Sequence, residues 1–254
     1  MLKGLEGCIG MTVVDPIRDD RGWAFREGAG HSTDPINGWS FLAQAYTATD
    51  PTFSGRVTTP TLWDTQTNQV VSNESSDIIR MLNSEFNEWA THPERDLCPE
   101  HLRSEIDALN AWIYTDINNG VYRCGFATTQ EAYETAATAL FAALDRADAL
   151  LAQRRYLTGA TITEADWRLF VTLVRFDSVY VSHFKCSLRR IVDYPHLWGY
   201  LRDLYSQPGI ADTVNMDHIK RHYYMTHDRI NPTRIVPIGP AIDFTLPHDR
   251  DRLA

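Results

Sequence analysis

The sequence predicts an α+β protein, a small mixed α/β half followed by an all-helical half. Three observations carry this. Before residue 91 the apolar residues fall in short β-branched runs closed by Pro, Gly and Asp. After residue 99 they recur at three- and four-residue spacing, the period of one helix face. Between them lies a polar join, HPERDLCP at 92–99. The expected domains are therefore 1–91 and 99–254.

In the first half, residues 8–14 (CIGMTVV) predict a strand, ended by the turn pair Asp15-Pro16. A polar loop holding Trp23 follows, and residues 41–46 suit a short helix. Residues 57–63 (VTTPTLW) and 69–72 (QVVS) read as two strands joined by a polar connection at 64–68. Pro60 interrupts the first of them. Proline donates nothing to a ladder, so it implies either an edge or bulge, or a cis peptide after Thr59. Ile78, Ile79, Leu82 and Phe86 then share a helix face across 75–86.

In the second half, Leu102, Ile106, Leu109 and Ile113 mark a helix. Thr128-Thr129-Gln130-Glu131 reads as a capping box opening a long alanine-rich helix through Leu140, Leu144 and Leu151. Thr163-Glu164-Ala165-Asp166 reads as a second box, with Asp166 reaching back to the start of its helix, a folding role rather than a catalytic one. Pro195, Pro208 and Gly209 punctuate two shorter helices, and the chain after Asn231-Pro232 reads as a coil tail. Trp63 and Trp167 are expected in the core.

Composition narrows the function. The net charge is −9, and no Lys/Arg run supplies a face for nucleic-acid phosphates. No stretch approaches the ~20 apolar residues of a membrane span, and the opening residues do not read as a signal peptide. Cys8, Cys98, Cys124 and Cys186 form no CxxC pair, and neither they nor the nine histidines have metal-ligand spacing. Reduced thiols and a cytoplasmic setting are expected. Cys8 is expected inside a buried strand, Cys98 at a helix start, Cys124 near whatever site Tyr122 serves, and Cys186 in a structural position.

Several longer strings carry a resemblance. DDRGWAF, DPTFSGRVTTPTLWD, SNESSDIIRMLN, NNGVYRCGFATTQEAYE, ITEADWRLF, TLVRFDSVYVSHFKC and NMDHIKRHYYMTH are similar to successive blocks of the glutathionyl-hydroquinone reductases, the Xi class of glutathione transferases. The resemblance runs from Leu2 to about Pro240. It implies an incomplete thioredoxin-like N-terminal domain followed by the all-helical glutathione transferase C-terminal domain. It also implies glutathione as co-substrate, glutathionyl-hydroquinone as substrate and a homodimer. Carried over by matching position, Trp23, Arg56, Thr59, Glu74 and Ser75 would bind glutathione. Trp23 would cover the thiol end and Arg56 face the tripeptide. The Thr59 backbone would pair with the cysteinyl part, and Glu74 and Ser75 would hold the γ-glutamyl end. Thr59 stands where the family usually has valine. Glu74-Ser75 alone reads as a helix cap. Tyr122, Tyr180 and Tyr223 match the hydroquinone site. Tyr114, Tyr133, Tyr200 and Tyr224 are assigned to structure.

One family element has no counterpart. The family's catalytic cysteine opens a Cys-Pro-aromatic motif at the start of a first helix, where the helix terminus lowers the thiol pKa. Here LKGLE at 2–6 matches the end of that helix, which places the motif upstream of Met1, and Cys98-Pro99 is followed by Glu100. None of the four cysteines is expected to replace the nucleophile; Cys124, in the Tyr122 block, is the least implausible of them. The strand expected to precede it would sit inside the sheet, so its absence should leave unpaired backbone and apolar surface. The resemblance then implies a reductase that is impaired in this chain. The competing reading is a glutathione transferase-like module that binds or dimerises without redox chemistry. Activation of glutathione by a Ser or Tyr ranks last.

Overall fold

A computed structural model describes residues 1–253 and separates the chain into two units, Met1–Asp96 and a second that begins at Leu97. In the first, strands β1 (Leu62–Asp64) and β2 (Gln69–Ser72) form an antiparallel hairpin with an irregularity between Leu62 and Trp63. Asp64 closes its turn by accepting from the Gln66 N–H and the Thr67 hydroxyl, both at 2.8 Å. Helix α1 (Ala43–Thr49) buries Ala45 and Tyr46, and with Leu42 they form a small core covered by Trp23, Phe25, Trp39, Phe53, Val57, Trp63 and Val70. Helix α2 (Ser75–Ser84) follows the hairpin.

Two strand expectations are corrected. Only the last two of residues 57–63 join the ladder, since Pro60 has no N–H to donate to it, and the Thr59–Pro60 peptide is cis. Residues 8–14 form no strand. They carry no regular secondary structure, and beyond the turn in which the Cys8 and Ile9 N–H groups donate to the Leu5 carbonyl, their one backbone bond among the described residues runs from the Ser32 N–H to the Val13 carbonyl. A groove of about 920 Å³ separates Cys8 and Ile9 from β1 and from Met81 and Phe86 on and after α2. β-branched residues favour a pleated, half-buried surface; a strand exists only where a neighbour supplies the ladder. Cys8 is accordingly exposed, not buried. The start of the chain is tied down elsewhere: Lys3 Nζ donates to the carbonyls of Pro93 (3.1 Å) and Arg95 (2.9 Å). Gly4 has φ +65°, and a Cβ there would lie 2.5 Å from Thr91.

The second unit is helical: α3 (Arg103–Trp112), α4 (Gly120–Gly125), α5 (Gln130–Leu151), α6 (Glu164–Arg175), α7 (Leu197–Tyr205) and α8 (Met216–Thr226). Ile106, Ile113, Leu140, Leu144 and Leu151 are fully buried, as their spacing predicts. Helix α5 is capped by Thr129, whose hydroxyl accepts from Ala132 N–H, so the box assigned one residue earlier is corrected. The Thr163–Asp166 box is present in both directions. Asp148 on α5 supplies what α7 lacks in its own sequence, accepting from the N–H groups of His196 (2.9 Å) and Leu197 (2.8 Å).

Two π-helical turns, Ile113–Asn118 and Phe176–Tyr180, interrupt the α-helical period just before Tyr122 and at Tyr180. The tail is coil until a 3₁₀ turn at Arg250–Leu253, where the fully buried Arg250 guanidinium donates to the carbonyls of Arg154 and Arg155. Trp63 and Trp167 are only half-buried, and both buried ring N–H groups find no partner among the described residues. No helix among the described residues is long and apolar enough to cross a membrane.

Candidate functional site

In the first unit the residues around Thr59 are held from within. The Tyr46 hydroxyl, rooted in the α1 core, donates to the Thr58 carbonyl (3.1 Å) and meets the Thr61 hydroxyl (3.0 Å). Asn73 Nδ2 donates to the Thr58 hydroxyl at 3.0 Å. These bonds fix the Thr59–Pro60 bend from its inner side and leave both residues exposed. They also bring the start of α2 beside it, because Asn73 precedes Glu74. Glu74 occupies the N-cap position but its side chain makes no capping bond, so the cap expected of it is absent. Glu74 and Ser75 are exposed at the amino terminus of a ten-residue helix, where free N–H groups and the helix dipole favour a carboxylate. Trp23 packs its ring on the same core that Tyr46 belongs to, and its carbonyl accepts from Leu42 N–H at 2.9 Å. Arg56 is exposed in the loop before Thr58.

In the second unit the three tyrosines converge. Tyr122 lies on α4, Tyr180 ends the second π turn, and Tyr223 lies on α8. The Tyr223 hydroxyl is 2.5 Å from that of Tyr122 and 2.8 Å from that of Tyr180. Tyr180 and Tyr223 are buried, whereas Tyr122 is 38% exposed. Burial pushes the Tyr180 and Tyr223 phenols well above their ordinary range, reinforced by the neighbouring phenols, so both remain protonated donors at neutral pH. Three hydroxyls carry three protons, and two mutual bonds use two. One O–H is left to donate outward. Phe184 stacks on Tyr180 (5.6 Å between ring centres) and stands edge-on to Tyr122 (5.4 Å) and Tyr223 (5.6 Å).

The cluster includes residues that sequence reasoning did not single out. His183 Nε2 lies 3.1 Å from His227 Nδ1, and the His227 ring stacks on Phe184. Burial lowers the His183 pKa to about 4, helped by Lys185 and His222, so its ring is neutral. The only available signal was the HFKC string; the separation of His183 from His227 along the chain hides their contact.

The other tyrosines serve the frame. Tyr200 donates to Asp166 (2.8 Å), Tyr133 to the Lys185 carbonyl (2.7 Å), and Tyr224 to the Ser178 carbonyl (3.2 Å), while Tyr114 is exposed. Cys98, Cys124 and Cys186 are buried.

Comparison with known proteins identifies the fold and family. Residues 130–203 match the model of the glutathione S-transferase C-terminal domain. The chain is 51% identical over 251 residues to the glutathionyl-hydroquinone reductase YqjG of Escherichia coli K12, covering 98% of this chain and 76% of that protein. It is also 51% identical to the glutathionyl-hydroquinone reductase PcpF of Sphingobium chlorophenolicum, covering 94% and 76%. Among solved structures, glutathione-bound YqjG superposes with a TM-score of 0.96 at 52% identity, covering 98% of this chain and 81% of that one. The Xi-class enzyme of Natrialba magadii gives 0.97 at 50%, covering 100% and 79%. The α+β assignment, a thioredoxin-like half with a small two-stranded sheet followed by a helical half, agrees with the glutathione transferase fold these comparisons show. By identity sustained over nearly its whole length, the chain belongs to the Xi class of glutathione transferases, the glutathionyl-hydroquinone reductase family.

Proposed function

We propose that this chain serves the glutathione-dependent reduction of glutathionyl-hydroquinones, and that its own residues supply recognition of both halves of the substrate. The observation that carries the reading is the hydroxyl chain Tyr180–Tyr223–Tyr122, which leaves one phenolic proton to donate from a buried, aromatic-lined cluster. A quinol has the complementary shape and chemistry: a flat ring bearing oxygens that accept such a bond. In the overall change, glutathionyl-hydroquinone and glutathione become hydroquinone and glutathione disulfide. The ring carbon bearing sulfur takes up a proton as a quinol O–H gives one up, a thiolate attacks the thioether sulfur, and the carbon–sulfur electron pair passes through the ring to the quinol oxygen, which is then reprotonated. Negative charge developing on the quinol oxygen is where a pre-oriented phenol O–H stabilises the transition state, and a chain of hydroxyls strengthens that donor by mutual polarisation.

For the tripeptide, the exposed Glu74 carboxylate suits an ammonium, and Ser75 with the α2 amino terminus suits a carboxylate. The backbone at Thr59 suits pairing with the cysteinyl amide, Arg56 supplies positive charge, and Trp23 a flat apolar cover. We assign the nucleophile to none of Cys8, Cys98, Cys124 and Cys186, because none opens a Cys-Pro-aromatic string. We extend the reading to a homodimer in the cytoplasm, for which the four free thiols and the family give support. Sedimentation equilibrium tests the dimer.

The experiment is a paired one on this chain. Hydroquinone and glutathione binding are measured by calorimetry, and turnover of a glutathionyl-hydroquinone is followed by chromatography. Binding of both with negligible turnover is expected. Absence of hydroquinone binding overturns the recognition role. A mixed disulfide between glutathione and any of the four cysteines during turnover overturns the assignment of the nucleophile.

A further inference from the structure

His183 and His227 bond to each other beside the tyrosine cluster, joining the end of α8 to the turn after the second π turn. His183 Nε2 lies 3.1 Å from His227 Nδ1, and the two rings stack 5.3 Å apart. Their surroundings differ. His183 is buried and stands edge-on to Tyr224 at 4.7 Å. His227 is half-buried, at the outer rim of the cluster. Its ring lies edge-on to Phe126 at 5.2 Å and to Tyr223 at 5.6 Å, and stacks on Phe184 at 5.7 Å. The exposed rings of Phe126 and Tyr122 stack on each other and complete that rim.

The phenols of the cluster are donors. The reaction also needs an acceptor, because a quinol O–H must give up its proton while a ring carbon takes one up. A neutral imidazole accepts a proton and returns it near neutral pH. The surroundings decide which of the two rings takes the charge. Burial opposes a cation at His183, and Lys185 and His222 oppose it further. His227 reaches water and follows the last turn of an eleven-residue helix, where the dipole favours a cation. When His227 is charged, its Nδ1–H donates to the neutral Nε2 of His183. The proton that comes and goes is then the one on His227 Nε2.

We propose that His227 is the proton carrier of the quinol site and that His183 is its positioning residue. The proposal rests on the quinol reading of the tyrosine cluster. His227 Nε2 takes the proton of a quinol O–H and returns one to the adjacent ring carbon. The O–H electron pair becomes the second bond of a carbonyl, and a ring double-bond pair forms the new C–H bond. The oxygen and that carbon are two bonds apart, so one imidazole serves both in turn. The phenol O–H left over from the tyrosine chain stabilises the oxygen while it carries charge between the two transfers. No sulfur takes part in this step, so a chain whose cysteines supply no nucleophile still performs it.

The test is deuterium exchange. Every ring C–H of hydroquinone is next to a hydroxyl-bearing carbon, and a proton shuttled in D2O returns as deuterium. Hydroquinone is incubated with the full chain in D2O under argon, at concentrations that calorimetry shows to saturate the site, and ring deuteration is followed by proton NMR. Deuteration well above the protein-free control is expected, and His227→Gln, with His227→Asn in parallel, should slow it at least about a hundredfold. His183→Gln, whose amide oxygen can accept from the His227 Nδ1–H, should retain most of the exchange, whereas His183→Leu should lose it. The wild-type measurement is decisive whether or not a variant folds: hydroquinone bound without deuteration overturns the proposal and spares the recognition reading. Equal rates in the wild type and a folded His227 variant also overturn it, and equal rates in His183→Leu and His183→Gln overturn the role of His183. If hydroquinone does not bind, the recognition reading fails and the proposal falls with it.

Discussion

The hydroxyl of Tyr223 accepts or donates two hydrogen bonds at once, to Tyr122 at 2.5 Å and to Tyr180 at 2.8 Å, so the phenol on α8 joins those on α4 and the π turn. Removing that one oxygen by Tyr223→Phe breaks both bonds while keeping the ring. Hydroquinone affinity should fall about tenfold, ~1.4 kcal/mol, by calorimetry. The Tyr180 hydroxyl, left buried without its partner, should cost ~1–3 kcal/mol in urea unfolding. Unchanged hydroquinone affinity would separate the cluster from quinol recognition.

The second unit was largely legible in the sequence, because its signals are local. Thr163 and Asp166 lie three residues apart, and the box they predict is the box observed. Leu140, Leu144 and Leu151 repeat at helical spacing and are fully buried. Residues 8–14 were not legible in the same way. Their composition is that of a strand, but pairing is a property of a neighbour and not of the segment. The π turns before Tyr122 and at Tyr180 escaped notice because one extra residue per turn shifts the period without changing residue types. The tyrosine positions came from resemblance; no local pattern marks three phenols drawn from three elements as partners.

Asp166 is fully buried and accepts four bonds: Leu157 N–H at 2.9 Å, Thr163 N–H at 2.8 Å, the Thr163 hydroxyl at 3.1 Å and the Tyr200 hydroxyl at 2.8 Å. Asp166→Ala strands several buried donors together and should cost ~3–5 kcal/mol in urea unfolding. Tyr200→Phe removes one bond and leaves the others, so its cost should be nearer ~1 kcal/mol. The double variant should be less destabilised than the sum, since both changes delete the same contact. Full additivity would deny that the two groups act as a unit.

His183 gives the second unit a pH dependence. Its pKa is about 4 in the fold against 6.5 for an ordinary histidine, chiefly through burial. The unfolded chain therefore binds a proton that the folded one resists. Stability from this group is complete above pH 6.5, declines as pH falls toward 4, and levels off below. At ~1.4 kcal/mol per pH unit the loss reaches about 3 kcal/mol. Unfolding free energy measured from pH 7 to pH 4 should fall more steeply in the wild type than in His183→Gln, which carries no titrating ring. Parallel curves would mean that another group sets the acid limit.

Gly125 ends α4 against a ring that has no room to withdraw. A Cβ there would lie 2.1 Å from Phe184 Cδ1, and Phe184 is fully buried among Tyr122, Tyr180, Tyr223 and His227. Gly125→Ala must therefore displace either α4 or the ring, at a cost of ~1–3 kcal/mol for an overpacked core. The displacement runs into the tyrosines, so hydroquinone affinity should weaken along with stability. Phe184→Leu frees space at the point of collision. Combined with Gly125→Ala it should be no less stable than Phe184→Leu alone, whereas in the wild-type background the same alanine is costly. Equal costs of the alanine in both backgrounds would show that the helix end yields freely and that the contact with Phe184 does not set its position.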